Sequence, residues 1–399
     1  MNEADPRGEK KILFLGHSAS RSGAPLVLLH WLKWFKQNAG MSFEILLKEG
    51  GPLEGDFAAL APTTVLRRSR FETILNNLCH RLRCSPPAKF TLSAKALEFA
   101  RGRKVRLIHA NTVAVAEEVA VLAGLKLPIV WHVHEMPFAI NCFQGGRPFA
   151  EASRFATAFI AASEGVRQGL VDGGSIPAAK ITVIREFIPW IETSPEARLA
   201  QRVRVRKELA LPAQAFVAGM CGTVEWRKGA DLFVGAARQC RAEFPGRNIY
   251  FLWVGAPDHA LTQRQVDHDL RLAGLTDTVR FIGGKSDSLP YLAAMDVFAL
   301  TSREDPFPLA MLEAAALGLP IVCFSRSGGG PEFVAGDAGV IVEYADSLAL
   351  ARALARLSGE PALCRQLGDA GRAKVRDHYT VEKQAPKILQ FLGETGRLK

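Results

Sequence analysis

Short apolar runs alternate with amphipathic stretches along most of the chain. The first run, Lys11-Ile12-Leu13-Phe14-Leu15-Gly16, reads as a buried strand. A turn-rich loop, residues 17–25, separates it from a helix predicted over 26–35, where Leu28, Leu29, Leu32 and Phe35 are the apolar anchors. Strand-type runs return at 42–48, 107–110, 128–135, 181–184, 216–221, 249–255, 279–284, 297–300 and 321–324. Strands alternating with helices predict an α/β protein with parallel sheets, because each return to a parallel strand needs a crossover. Residues 189–195 carry two prolines and little periodicity, so they read as a linker between two halves. The last segment, 378–392, is amphipathic.

Composition changes this picture at few points. A chain of 399 residues is long enough for two or three domains with ample cores. No run approaches the roughly 18 apolar residues of a membrane span. The polar, charged start, residues 1–11, does not resemble a secretory signal. The seven cysteines (Cys79, Cys84, Cys142, Cys221, Cys240, Cys323, Cys364) are scattered, as expected for reduced thiols in a cytoplasmic protein rather than a disulfide framework or zinc site.

The net charge of +10 is concentrated: between Arg67 and Arg106, eleven basic residues face only Glu72 and Glu98. Phe71, Ile74, Leu75, Leu78 and Leu82 recur there at helical spacing. Two readings fit, a core helix with a solvated basic face, or a helix lying on an anionic membrane surface. Nucleic acid fits poorly, since no binding motif or interleaved exposed aromatics accompany the charge.

Three places carry candidate chemistry. In Asp305-Pro306-Phe307-Pro308-Leu309-Ala310-Met311-Leu312-Glu313, Phe307 precedes a proline and is pushed out of the helical region. Pro308 suits the first position of a helix, and Gly318 and Pro320 end it. The N–H groups of Leu309, Ala310 and Met311 would then face outward, where an anion binds well. Glu313 sits among apolar neighbours; it is either the one solvated position or an acceptor for ligand hydroxyls. The second place is strand, glycine loop, basic pair, helix: residues 216–221, Gly222-Thr223-Val224-Glu225-Trp226, Arg227-Lys228, then Gly229. That order suits a diphosphate, which needs close backbone approach and fixed positive charge. The third is Trp131-His132-Val133-His134-Glu135, where both histidines share one strand face. They are either satisfied structural residues or functional ones at the carboxyl end of a strand. Asp267-His268-Asp269 has the look of a metal motif but lies in a segment that reads as a surface helix, so no metal is expected there.

Acid-x7-acid with Pro-Phe after the first acid, then Glu-Ala and Gly-Leu-Pro, resembles the signature of family 4 glycosyltransferases, retaining enzymes of the GT-B fold. The resemblance runs from Ile12 to about Leu392. It implies two Rossmann-like domains with parallel sheets facing across a cleft: an acceptor-side domain over 1–188, a nucleotide-sugar domain over 189–377, and a helix over 378–399 crossing back. The implied donor-site residues are Glu313 for ribose hydroxyls, Lys228, Arg227, Gly222, Thr223, Phe307, Pro308, Leu309 and Gly329. His134, Asp305 and Lys228 are the implied catalytic residues, and Ser22 and Gly23 the acceptor-side loop. No cofactor and no metal are expected; the partners are a nucleotide-diphosphate sugar and a glycan or lipid-linked acceptor. Departures are visible: Asp305 stands where the family has Glu, Pro308 where it often has Gly, Glu135 where it has Asp, and Thr223 where it has Arg. Arg227 is the expected substitute for that missing charge. A non-catalytic nucleotide-sugar-binding protein and a GT-B sugar-nucleotide epimerase are the competing readings.

Overall fold

The computed structural model describes residues 11–67, 72–74, 79, 81, 91–143, 146–173 and 176–396. The helix expected around Phe71 to Leu82 lies mostly outside them. The chain divides into two compact units. One gathers Met1–Ala162, Val166–Arg185 and Gln384–Lys399; the other gathers Ser163–Gly165 and Glu186–Lys383.

The first unit is built on β1 (Lys11–Ser18), β2 (Phe43–Glu49), β3 (Thr63–Val65), β4 (Val105–Asn111), β5 (Ile129–Val133), β6 (Ala158–Ala161) and β7 (Ile181–Val183). They form one sheet in the order β3-β2-β1-β4-β5-β6-β7, with every pairing parallel. Parallel strands are covered on both faces, which is why β1 and β5 read as nearly unbroken apolar runs. The helix after β1 spans Gly23–Asn38, three residues longer at its start than the 26–35 pattern predicts. Its first turn tolerates Pro25 because N–H groups there have no intrahelical partner. It buries Val27, Leu28, Trp31, Leu32 and Phe35 against the sheet, and the Trp31 ring meets Phe14 edge-on at 5.0 Å. Trp31 Nε1 donates to the Ala385 carbonyl (3.3 Å), which ties the C-terminal helix Val381–Gly396 into this core.

The second unit repeats the plan with β8 (Phe216–Cys221), β9 (Ile249–Val254), β10 (Val279–Phe281), β11 (Val297–Leu300), β12 (Ile321–Phe324) and β13 (Gly339–Val342), in the order β10-β9-β8-β11-β12-β13, again all parallel. Phe233, Phe251 and Trp253 pack edge-on at its centre (5.2 Å). Arg202 and Arg206, on the helix Pro195–Glu208, both hold Asp296 at 2.6 Å and so pin the start of β11.

Both sheets share one consequence. The chain leaves the first strand in one direction, then returns to its other side: β1 then β4, β8 then β11. The loops at the carboxyl ends of such a strand pair diverge, and the gap between them is where α/β sheets take ligands.

Candidate functional site

In the second unit the gap between β8 and β11 is bridged by charge. Gly222 and the loop after β8 lead to Lys228; Thr301 and Ser302 after β11 lead to Asp305. The Lys228 ammonium donates to Asp305 Oδ2, which also accepts from the Ser302 hydroxyl at 3.0 Å. The pair is nearly buried, with side-chain exposures of 14% and 6%. Gly229 makes this approach possible: its φ is +73°, and a Cβ there would lie 2.0 Å from the Thr301 carbonyl oxygen. In the chain the two residues stand 77 positions apart. The fold brings them into direct contact.

Asp305 is followed by the helix Leu309–Ala316. Pro308 is its N-cap (φ −68°, ψ 126°) rather than its first helical residue. Met311 N–H already donates to the Pro308 carbonyl (3.1 Å), so the expected trio of outward N–H groups shrinks to Leu309 and Ala310. One turn on, Glu313 is half-buried and near Ser288, whose hydroxyl lies 3.4 Å from Oε2. Burial pushes the Glu313 carboxyl up to about 7; the Ser288 hydroxyl opposes that and the Asp287 charge adds to it. Cys221, at the end of β8, shares this environment, and burial and the Glu313 charge push its thiol up to about 12. Neither Ser288 nor Cys221 stands out in the sequence, because a lone serine or cysteine has no periodic signature.

Several of the expected donor-site residues have partners of their own. The Arg227 guanidinium donates to Glu225 (2.7 Å) and to the Glu304 carbonyl (2.9 Å). The Phe307 ring is 2% exposed and packs on Tyr379 at 5.2 Å, so it shapes the turn and does not line it. Gly329 N–H is taken by the Asp305 carbonyl (3.0 Å), and a Cβ there would meet Pro306 O and the Phe307 ring at 2.3 Å. Gly329 therefore braces the Asp305 turn. Thr223 is exposed, and Gly222 runs beside the Lys228 stem, where an added Cβ would lie 3.5 Å from Cε. Asp267 and Asp269 lie exposed on the helix Ala260–Leu272, with Asp267 accepting from Gln263 (2.8 Å).

In the first unit the corresponding gap holds serine hydroxyls and His134, with Lys48 at its edge donating to the Ala114 carbonyl (3.3 Å) and paired with the buried Glu118 (3.3 Å). Ser22 caps the helix Gly23–Asn38 in extended geometry and shares a chain of hydroxyls with Ser20 and Ser18, each step 2.9 Å. Gly23 is the first helical residue rather than a loop residue, and a Cβ there would meet nothing within 4 Å. His134 lies just past β5, buried, its ring 4.1 Å from that of His132 as the shared face predicts. Its Nε2 is 2.7 Å from Asn111 Oδ1. Glu135 turns inward and accepts from the Thr112 hydroxyl and from the N–H groups of Val113 (3.2 Å) and His134 (3.0 Å). Burial raises its carboxyl, and the neighbouring His134 with these donors pulls the other way. Further in, burial lowers His17 and His30 to about 4 and His109 to about 3, and His132 falls well below its ordinary value. These imidazoles are neutral at pH 7.

Known proteins resemble this chain in sequence and fold. The family model described as Glycosyltransferase Family 4 matches residues 55–189, and Glycosyl transferases group 1 matches 215–360. The lipopolysaccharide core biosynthesis glycosyltransferase LpsE of Rhizobium meliloti is 30% identical over 188 residues, covering 47% of this chain and 52% of that protein. A GDP-mannose-dependent monoacylated alpha-(1-6)-phosphatidylinositol monomannoside mannosyltransferase of Corynebacterium glutamicum is 28% identical over 218 residues, 52% of this chain and 53% of that one. The chain thus spans about half the length of these curated relatives. The crystal structure of Anabaena Alr3699/HepE with UDP-glucose superposes with a TM-score of 0.78 at 23% identity, over 97% of this chain and 100% of that one. WaaG, a glycosyltransferase involved in lipopolysaccharide biosynthesis, superposes with a TM-score of 0.71 at 14% identity, over 95% and 99% of the two chains. Both folds are two-sheet α/β GT-B folds, as here. With one family model on each sheet and the acid-x7-acid turn at the switch point of the second, the chain belongs to the family 4 glycosyltransferases, glycosyl transferases group 1.

Proposed function

We propose that this protein is a retaining glycosyltransferase that moves a sugar from a nucleotide-diphosphate sugar to a glycan, lipid-linked or polysaccharide acceptor. The observation that carries the reading is the Lys228–Asp305 pair at the β8/β11 gap, set directly before the N-terminus of the helix Leu309–Ala316. Departure of the diphosphate builds negative charge on the leaving oxygen. Lys228 and the Leu309 and Ala310 N–H groups are fixed donors for that charge, which stabilise a transition state with little reorganisation and need no metal in this reading. Glu313 accepts from the ribose hydroxyls. Asp305 and His134 serve the transferred sugar, and Ser22 and Gly23 the acceptor. No carboxylate is assigned as a covalent nucleophile; attack on the face the diphosphate leaves gives retention.

The donors named for the relatives, UDP-glucose for HepE and GDP-mannose for the mannosyltransferase, support a nucleotide-diphosphate sugar. Their lipopolysaccharide and phosphatidylinositol acceptors support a lipid-linked or glycan acceptor. Among the described residues no helix is long and apolar enough to cross a membrane. The basic stretch 67–106 is the part proposed to meet an anionic membrane at its cytoplasmic face. Some of its charge is already paired: Arg67 with Glu54, Lys95 with Glu72, Arg103 with Glu44. Sedimentation with anionic vesicles at low salt tests that part, and absence of binding removes it.

The test of the main reading is a thermal-shift panel of UDP-, GDP- and ADP-sugars followed by turnover assays, since a ligand that binds the folded state raises the apparent Tm. At least one donor should raise Tm, and Glu313→Ala should lose that shift. A panel with no shift at millimolar donor rejects the reading.

A further inference from the structure

β4 ends at Asn111, whose side chain is buried and placed between two groups across the β1/β4 gap. Its amide nitrogen donates to the Ala24 carbonyl at 3.1 Å, and its Oδ1 lies 2.7 Å from His134 Nε2. A carbonyl oxygen can only accept. The Ala24 contact therefore decides which way the amide points, and Oδ1 must be the atom facing His134. The opposite orientation would set two oxygens against each other at Ala24. An oxygen facing Nε2 requires a proton on Nε2.

The turn that presents Asn111 is strained and held. Thr112 has φ +78°, a region that β-branched residues rarely occupy. Its N–H donates to the His132 carbonyl (2.8 Å), its carbonyl accepts from Trp131 Nε1 (2.9 Å), and its hydroxyl donates to Glu135. Strain of this kind persists only where the surroundings over-determine it, and such places cluster at functional sites. Glu135 closes the circuit by accepting from His134 N–H (3.0 Å). The same turn thus grips His134 by both its backbone and its ring.

We propose that Asn111 is a positioning residue that locks the ring of His134 with Nε2 protonated in every ionisation state, so that Nδ1 is the only atom through which His134 gains or loses a proton. Ala24, in the first turn of the helix after β1, anchors the lock, which links the Ser22–Gly23 segment to the orientation of that imidazole. The inference rests on the transferase reading only for its kinetic consequences. The lock itself is a statement about a tautomer.

The experiment is 15N NMR of the full chain labelled at histidine, with His134→Gln used to assign the His134 signals. The wild type should show Nε2 as the protonated nitrogen of neutral His134. Asn111→Leu should lose that preference, and Asn111→Asp, which keeps the acceptor facing Nε2 while losing the donor to Ala24, should retain it. In turnover, Asn111→Leu should lower kcat by about 10-fold to 100-fold with donor KM little changed, the scale on which misplacing a site group costs rate. Asn111→Asp should restore most of that rate and move the His134-dependent limb of the pH profile up by about one pH unit, as a carboxylate beside an imidazolium does. His17, His109, His132 and Glu135 also interact with this imidazole within the unit, and they are unchanged in both variants. A wild-type spectrum with the proton on Nδ1 of neutral His134, or an unchanged tautomer in Asn111→Leu, overturns the proposal. If no nucleotide-sugar is turned over, the transferase reading fails while the NMR result still decides the lock.

Discussion

The two units place the same topological gap at the carboxyl ends of their sheets and fill its centre with different chemistry, although the first also carries an ion pair, Lys48 with Glu118, at its edge. Between β8 and β11 the contact is an ion pair, Lys228 with Asp305, beside a half-buried Glu313. Between β1 and β4 it is an amide, Asn111, joining a carbonyl to an imidazole, over a core holding His17, His30, His109 and His132 in neutral form. The fold supplies the gap in both cases; side chains decide what it holds. Fixed charge suits a ligand that carries charge, and neutral donors and acceptors suit a hydroxyl-rich one. The histidines of the second unit (His259, His268, His378) are all exposed, so the difference extends from the gap to the core.

The sharpest way to break the comparison is to remove charge from the second gap. Asp305→Ala should lower turnover by about 10²–10³-fold, the scale for losing one electrostatic group at a transition state, with nucleotide binding largely retained. If Asp305→Ala loses nucleotide binding while Glu313→Ala keeps it, the two acids are assigned the wrong way round.

Acid should separate the units next. An imidazole that is neutral when folded takes up a proton on unfolding below its ordinary value of 6.5. For His17, lowered to about 4, stability is complete above 6.5 and is lost as pH falls from 6.5 towards 4. Each such histidine removes about 1.4 kcal/mol per pH unit inside its window. Hydrogen exchange followed by mass spectrometry at pH 7.5 and 5 should show the first unit opening first, and His109→Phe should reduce the gap between the units. Equal sensitivity of both would end the contrast.

A smaller effect is expected at Glu313, raised to about 7 by burial. Ribose hydroxyls donating to its carboxylate favour the ionised form, so nucleotide binding should release protons just below pH 7. Calorimetry in two buffers of different ionisation enthalpy reads this directly, and Glu313→Gln should abolish it. The smallest effect belongs to Arg227→Ala. Because its guanidinium is held by Glu225 and Glu304, donor affinity should change by less than about threefold, below 1 kcal/mol. A larger loss would mean that Arg227 leaves those partners when donor binds.

Much of this was legible before folding. Residues 297–300 and 321–324 are predicted where β11 and β12 occur, because parallel strands buried on both faces leave unbroken apolar runs. The turn to Lys228 was legible too, since glycines and a basic pair sit between a strand and a helix. β3 (Thr63–Val65) was not: it is a half-buried edge strand whose two threonines carry no apolar run. β13 (Gly339–Val342), at the other sheet's edge, is absent from the predicted strands too, although Val340-Ile341-Val342 is an apolar run: it is short and only half-buried. The start of the first helix was misplaced because Pro25 looks like a boundary when read alone, although a first turn accepts it. Asn111 was invisible, since a single asparagine at the end of a strand has no pattern to betray it.

Periodicity and punctuation determine the elements, their order and the positions of the loops, because those depend on contacts between near neighbours in the chain. Partnership does not. Lys228 reaches Asp305 across 77 positions and Asn111 reaches Ala24 across 87, and each meeting exists only because the next strand was laid on the far side of the first. Arg227 shows the converse. It stands beside Lys228 in the chain, yet its guanidinium turns to Glu225, two residues back, and to the Glu304 carbonyl, 77 positions on, a partner that adjacency alone would not reveal.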